Sequence, residues 1–109
     1  MKNPEACENI SDIREAIDSI DKEIIELIAK RSKYVHKAAE FKTSSETVKA
    51  EDRVKKMFLA RRKWAKENHL SEEFIADLYK SIVNYFINEE MQKWQSTDRW
   101  WNKNFIIFL

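Results

Sequence analysis

A chain of 109 residues is one domain by length, with room for a modest core but at the small end for an isolated enzyme. Its 20 Lys and Arg against 19 Asp and Glu leave a net charge of +1, which argues against a general polyanion binder and makes any cationic site a local one. There is no glycine, so the phosphate-cradling loops of nucleotide-binding proteins lack their usual backbone, and the one proline, at position 4, leaves the rest of the chain free to be helical.

The opening stretch MKNPEACENI has no apolar run of the secretory kind, and no segment reaches the length of a membrane span; both predict a cytoplasmic protein. Cys7 has no second cysteine to pair with and no Cys or His at zinc-ligand spacing, so it reads as a passive thiol. Alternating β-branched runs are few, and the fold class that follows is all-α.

The first helix is expected from Ser11, as its cap, to Phe41. Ile13, Ile17, Ile20, Ile24, Leu27, Arg31, Val35, Ala38 and Lys42 follow at steps of three or four, the spacing of one helical face. Such a helix is roughly 46 Å long, against a radius of gyration of about 13 Å for a compact chain of this size. A single copy cannot bury that stripe, so a homodimer of paired long helices is expected, with twofold symmetry as the commonest closed arrangement.

The polar run KTSSETVKAEDR, residues 42–53, reads as a loop and a candidate lid. A second helix is expected over about Ala50 to Asn68, with Val54, Met57, Phe58, Arg61, Trp64 and Ala65 on its inner side. Its basic stretch RVKKMFLARRKWAK reads as a solvated face rather than a nucleic-acid surface, because the near-neutral total adds little attraction. ENHLSEEF makes a corner, Ser71 caps a third helix, and Glu72 and Glu73 suit its first turn. That helix carries Ile75, Leu78, Ile82, Phe86 and Glu90 on one stripe and ends near Trp94. Residues 1–95 form the helical domain; residues 96–109 are an aromatic and aliphatic tail, too short to be a domain.

Three charges therefore stand on stripes that should be apolar: Arg31, Lys42 and Glu90. One such arginine is ordinarily a rim residue whose stem covers apolar surface while its head reaches water. Three together point to a polar pocket in a helical bundle, because buried charges are costly without a compensating partner. Arg14 lies seventeen residues before Arg31, roughly 25 Å along the helix and on another face, so it serves such a pocket only from the second chain of an antiparallel dimer. Arg53 can close it from the second helix. Three arginines and a lysine with no metal-ligand pattern suit a small dianion; a dicarboxylate is the natural reading, with phosphates left open by composition.

These residues also carry a family resemblance. DIREAID with Arg14, KRSKYV with Arg31, AAEFK with Lys42, EDRV with Arg53 and YFINEEMQKW with Glu90 resemble the all-helical chorismate mutase family, and within it the isochorismate pyruvate lyase branch. The likeness runs from Met1 to about Trp94 and takes in MKNPEAC and RRKWAKENHL. It implies an intertwined dimer of three-helix chains and a pericyclic reaction without a cofactor, in which both candidate substrates are dicarboxylates. By the resemblance, the partner's Arg14 and Arg31 hold carboxylates, Arg53 assists, and Lys42 donates to the ether oxygen whose bond breaks. Val54 follows Arg53 where the mutases often place a glutamate, which favours lyase chemistry; Glu90 stands where the lyases have glutamine and some mutases have glutamate. The expected activity is isochorismate pyruvate lyase with secondary chorismate mutase activity; the alternatives are a chorismate mutase proper, and a non-catalytic helical dimer that binds a small anion or a protein.

Overall fold

The computed structural model describes residues 2–38 and 47–93, with side chains at 2–38, 53–86 and 88. Among the described residues the elements are a 3-10 turn at Pro4–Ala6 and three α-helices, α1 (Ile10–Ala38), α2 (Thr47–Glu67) and α3 (Glu72–Lys93), with no strand. The expected all-α class holds. The chain divides into two compact units, Met1–His36 and Lys37–Leu109, and each is described by itself.

In the first unit, proline opens the short turn where a missing N–H costs nothing, and the Cys7 amide closes it on the Pro4 carbonyl at 3.2 Å. The cap of α1 is Asn9, not Ser11. The Asn9 side-chain oxygen accepts from the Asp12 amide at 2.9 Å, while Asp12 accepts from the Glu8 amide at 3.0 Å and from the Lys2 ammonium at 3.2 Å. This reciprocal pairing satisfies two amide donors at the helix entrance, which a hydroxyl at Ser11 does not match from inside the helix. The Lys2 contact is largely exposed and adds under about 1 kcal/mol.

Helix α1 has 29 residues, so it is about 43 Å long. Val35 is buried and Ile13, Arg31 and Ala38 are half-buried, but the stripe positions between Ile13 and Arg31 are open in the single chain: Ile17 is 50% and Leu27 63% exposed, with Ile20 and Ile24 a little under half exposed. Full burial of each such side chain contributes about 1.5–3 kcal/mol. Residues 39–46, including the expected end of this helix and Lys42, lie outside the described residues.

In the second unit α2 packs on α3. Helix α2 starts at Thr47 rather than Ala50, so residues 47–53 of the expected loop are helical. Thr47, Val48 and Asp52 are weak helix formers there, but Lys49, Ala50, Glu51 and Arg53 are strong ones. The core is Met57 and Ala65 from α2 with Ala76, Val83 and Phe86 from α3; Met57 is 1% and Phe86 2% exposed. The buried face of α3 is thus turned from the expected stripe: Ile75 and Ile82 are half-buried and Leu78 is 42% exposed. The core mixes two large side chains, Met57 and Phe86, with the small Ala65 and Ala76. Trp64, expected inside, is half exposed.

The corner between them is fixed by local bonds. The Leu70 amide donates to the Ala65 carbonyl at 2.8 Å and the His69 amide to the Lys66 carbonyl at 3.1 Å, with His69 left-handed at φ 60°. Those two bonds close a Schellman motif on the last carbonyls of α2. Ser71 caps α3 as expected, its hydroxyl oxygen accepting from the Phe74 amide at 3.1 Å.

Candidate active site

The four described positions of the expected site fall two in each unit. On α1, Arg14 is exposed and Arg31 half-buried one turn before the buried Val35. Their seventeen-residue separation along one continuous helix keeps them roughly 25 Å apart, as a shared-dimer pocket requires. In the second unit, Arg53 is exposed near the start of α2, with Val54 half-buried beside it. Glu90 belongs to the last turns of α3; its backbone is described and its side chain is not. A connection of four residues between packed helices makes α2 and α3 antiparallel, so positions 53 and 90 come to the same open end of the hairpin. Lys42 lies outside the described residues.

One arginine has an environment that the helical spacing alone did not reveal. Arg61 is half-buried, with its guanidinium carbon 5.0 Å from the Trp64 ring centroid and 5.3 Å from that of Tyr79. One terminal nitrogen donates to the Met57 carbonyl at 3.4 Å. Burial lowers its pKa below the ordinary arginine value, and the like charge of Arg53 pushes the same way; Tyr79 opposes both through its charge and a hydrogen bond. Arg61 followed by an aromatic three residues later was the signal available in the sequence, since i and i+3 neighbours meet on a helix. It links α2 to α3 and so helps to hold the hairpin that places positions 53 and 90.

In the first unit, the half-buried Cys7 lines an apolar cleft with Pro4, Ile13, Ala16, Ile17 and Ile20, and its thiol donates to the Asn3 carbonyl at 3.5 Å. Among the described residues no group of three or more His, Cys, Asp or Glu could hold a metal ion, and no helix is long and apolar enough to cross a membrane. The positions above carry guanidinium groups, a type that can grip carboxylates in two-point contacts, and an acid at position 90.

Residues 13–91 match the family model for chorismate mutase type II. All five expected site positions, 14, 31, 42, 53 and 90, lie inside that span. An isochorismate pyruvate lyase of Pseudomonas aeruginosa is 40% identical over 97 residues, which cover 89% of this chain and 96% of that protein.

Proposed function

The chain belongs to the chorismate mutase type II family, and from that membership we propose that it is an isochorismate pyruvate lyase, converting isochorismate to salicylate and pyruvate. The observation that carries this reading is the 40% identity to the Pseudomonas lyase along nearly the whole of both chains, supported by Val54 beside Arg53. The reaction passes a hydrogen from the ring to the enolpyruvyl methylene as the ether C–O bond breaks. Ring and side chain each keep one carboxylate, and nothing is oxidised or reduced overall.

In this proposal Arg31 of one chain and Arg14 of the other bind the two carboxylates, and Arg53 adds a third guanidinium from α2. Gripping both ends of the substrate selects the compact reactive conformer, which removes much of the entropic part of the barrier. Lys42 donates to the ether oxygen, where negative charge grows as the bond breaks, and so favours the transition state over the ground state. Glu90, when protonated, donates to the same region.

The second chain is required because Arg14 and Arg31 cannot meet within one α1. The open apolar stripe of α1 supports pairing with a second copy. Mixing Arg14→Ala with Arg31→Ala chains should then restore activity in heterodimers, one of whose two pockets is intact; verified subunit exchange without recovery would count against the shared site.

The direct test supplies isochorismate to the purified protein and measures salicylate and pyruvate, which should appear in equal amounts. A parallel assay with chorismate reads prephenate. Glu90, a mutase-like residue, favours a second reading in which rearrangement of chorismate is the main activity. Prephenate formation without salicylate would establish that reading over the lyase, and a lack of turnover with either substrate would leave a binding protein.

A further inference from the structure

Beyond the dicarboxylate pocket, the corner of the hairpin holds a second place where a cation meets an apolar cleft. The cleft, of about 170 Å³, is lined by Arg61, Trp64, Ala65, Asn68, Leu70, Ile75 and Tyr79. Among the described residues no carboxylate pairs with Arg61. Its Nε is buried with no hydrogen-bond partner, and its bond to the Met57 carbonyl is long at 3.4 Å. Tyr79 gives the guanidinium one further hydrogen bond, but Nε is left without an acceptor, and leaving a buried donor unsatisfied costs about 1–3 kcal/mol. An anion in the cleft would remove that cost.

The walls say what kind of anion. Trp64 and Leu70 are each 50% exposed, so an indole face and an isobutyl group are open to a ligand, with Ala65 and Ile75 behind them. Asn68 spends one amide hydrogen on the Trp64 carbonyl at 2.8 Å and has a second to give. One guanidinium and one amide, with no lysine in the lining, match a single carboxylate better than a phosphate ester, and the volume admits one ring. We propose that the α2–α3 corner binds a small single-ring aromatic carboxylate, its ring against Trp64 and its carboxylate on the edge of Arg61. The carboxylate takes over from the weak Met57 contact and gives the guanidinium edge a charged acceptor; the ring covers apolar surface now in water. This site does not depend on which reaction the family pocket performs.

Benzoate is the probe. In the full-length protein, benzoate should shift the Arg61 Nε–H resonance saturably and quench indole fluorescence in a way that Trp64→Phe abolishes. Arg61→Lys should weaken benzoate binding at least tenfold, since an ammonium offers no planar edge, whereas Arg31→Ala should leave it unchanged. Acetate at the same concentrations should shift the Arg61 resonance far less. The proposal is overturned if benzoate produces no saturable shift at Arg61 in the wild-type protein, if acetate does as well as benzoate, or if Arg31→Ala abolishes binding while Arg61→Lys does not. Should Arg61→Lys fail to fold, the wild-type titration against acetate decides alone.

Discussion

The α2–α3 hairpin and helix α1 both carry apolar side chains, but the hairpin buries a core of them and α1 buries almost none. In the hairpin, Met57, Ala76 and Phe86 are shut away from solvent, the corner bonds are made locally, and Ser71 and the Schellman turn satisfy both helix ends at the bend. Along α1, Ile17, Ile24 and Leu27 stay about half exposed or more over a helix some 43 Å long. The hairpin closes a core within the chain while leaving Leu59, Phe74 and Tyr85 on its outside; along α1 only Val35 is buried. The difference bears on the proposed function, in which Arg53 and Glu90 come from the hairpin and Arg14 and Arg31 from the open helix, whose stripe is proposed to pair with a second copy.

The largest effect is expected at a residue between these regions. Lys42→Ala removes the donor proposed for the ether oxygen, and turnover should fall on the order of a hundred- to a thousandfold while substrate affinity changes much less. A loss of affinity with unchanged turnover would make Lys42 a substrate-capture residue instead.

A pair of substitutions sharpens the contrast itself. Met57→Ala opens a cavity in the hairpin core and should lower unfolding free energy by about 2–5 kcal/mol in denaturant titrations. Leu27→Asp leaves the hairpin core intact but puts a charge on the open stripe of α1, so its effect should be on assembly: the mass in solution should halve and activity should go with it. An unchanged mass with full activity would remove α1 from the pairing surface.

How far the sequence predicted this division depends on how local each signal is. Ser71 with Glu72 and Glu73 named the start of α3 because a cap and its amide donors lie within four residues. The start of α1 was missed by two positions because Asn9 and Ser11 are both capping residues, and the choice turns on Asp12 reaching back to the Glu8 amide. The start of α2 was missed because serine and threonine in the run 42–53 outweighed the helix formers behind them. The face of α3 was read in part: Phe86 is buried as its stripe position predicts, but Ala76 is buried and Leu78 is not, because size alone does not tell which side faces α2. The candidate site positions stand out for a different reason: Arg31, Lys42 and Glu90 interrupt apolar stripes in the sequence, and an interruption is visible without knowing the register. The setting of Arg61 was not, since Tyr79 comes from the other helix.

Glu90 supplies a milder test at the open end of the hairpin. Only a protonated carboxyl donates a hydrogen bond, so its active fraction shrinks tenfold for each unit of pH above its pKa. The donor role proposed for Glu90 therefore predicts a rise in activity toward acid when turnover is assayed from about pH 5 to 8. Glu90→Gln provides an amide donor at every pH in that range; it should flatten the profile and raise activity at neutral pH. Parallel profiles for the two proteins would leave Glu90 as a structural carboxylate.

The smallest expected effect is at the closed end. His69 is left-handed, φ 60°, where the Cβ of an L-residue crowds the following carbonyl at a cost of roughly 1–2 kcal/mol. The Schellman bonds to Ala65 and Lys66 hold it there, and Leu70 behind it returns to the cleft beside Ala65. Glycine removes the crowding but loses more backbone freedom on folding, about 0.5–1 kcal/mol, so His69→Gly should stabilise by up to about 1.5 kcal/mol net. His69→Ala keeps a Cβ at the same angle and should bring no gain. Denaturant titration of the three proteins separates the causes: equal stabilisation by alanine and glycine would mean that the imidazole, and not the backbone, is what the corner works against. Turnover should be the same in all three, because the corner lies at the end of the hairpin away from positions 53 and 90.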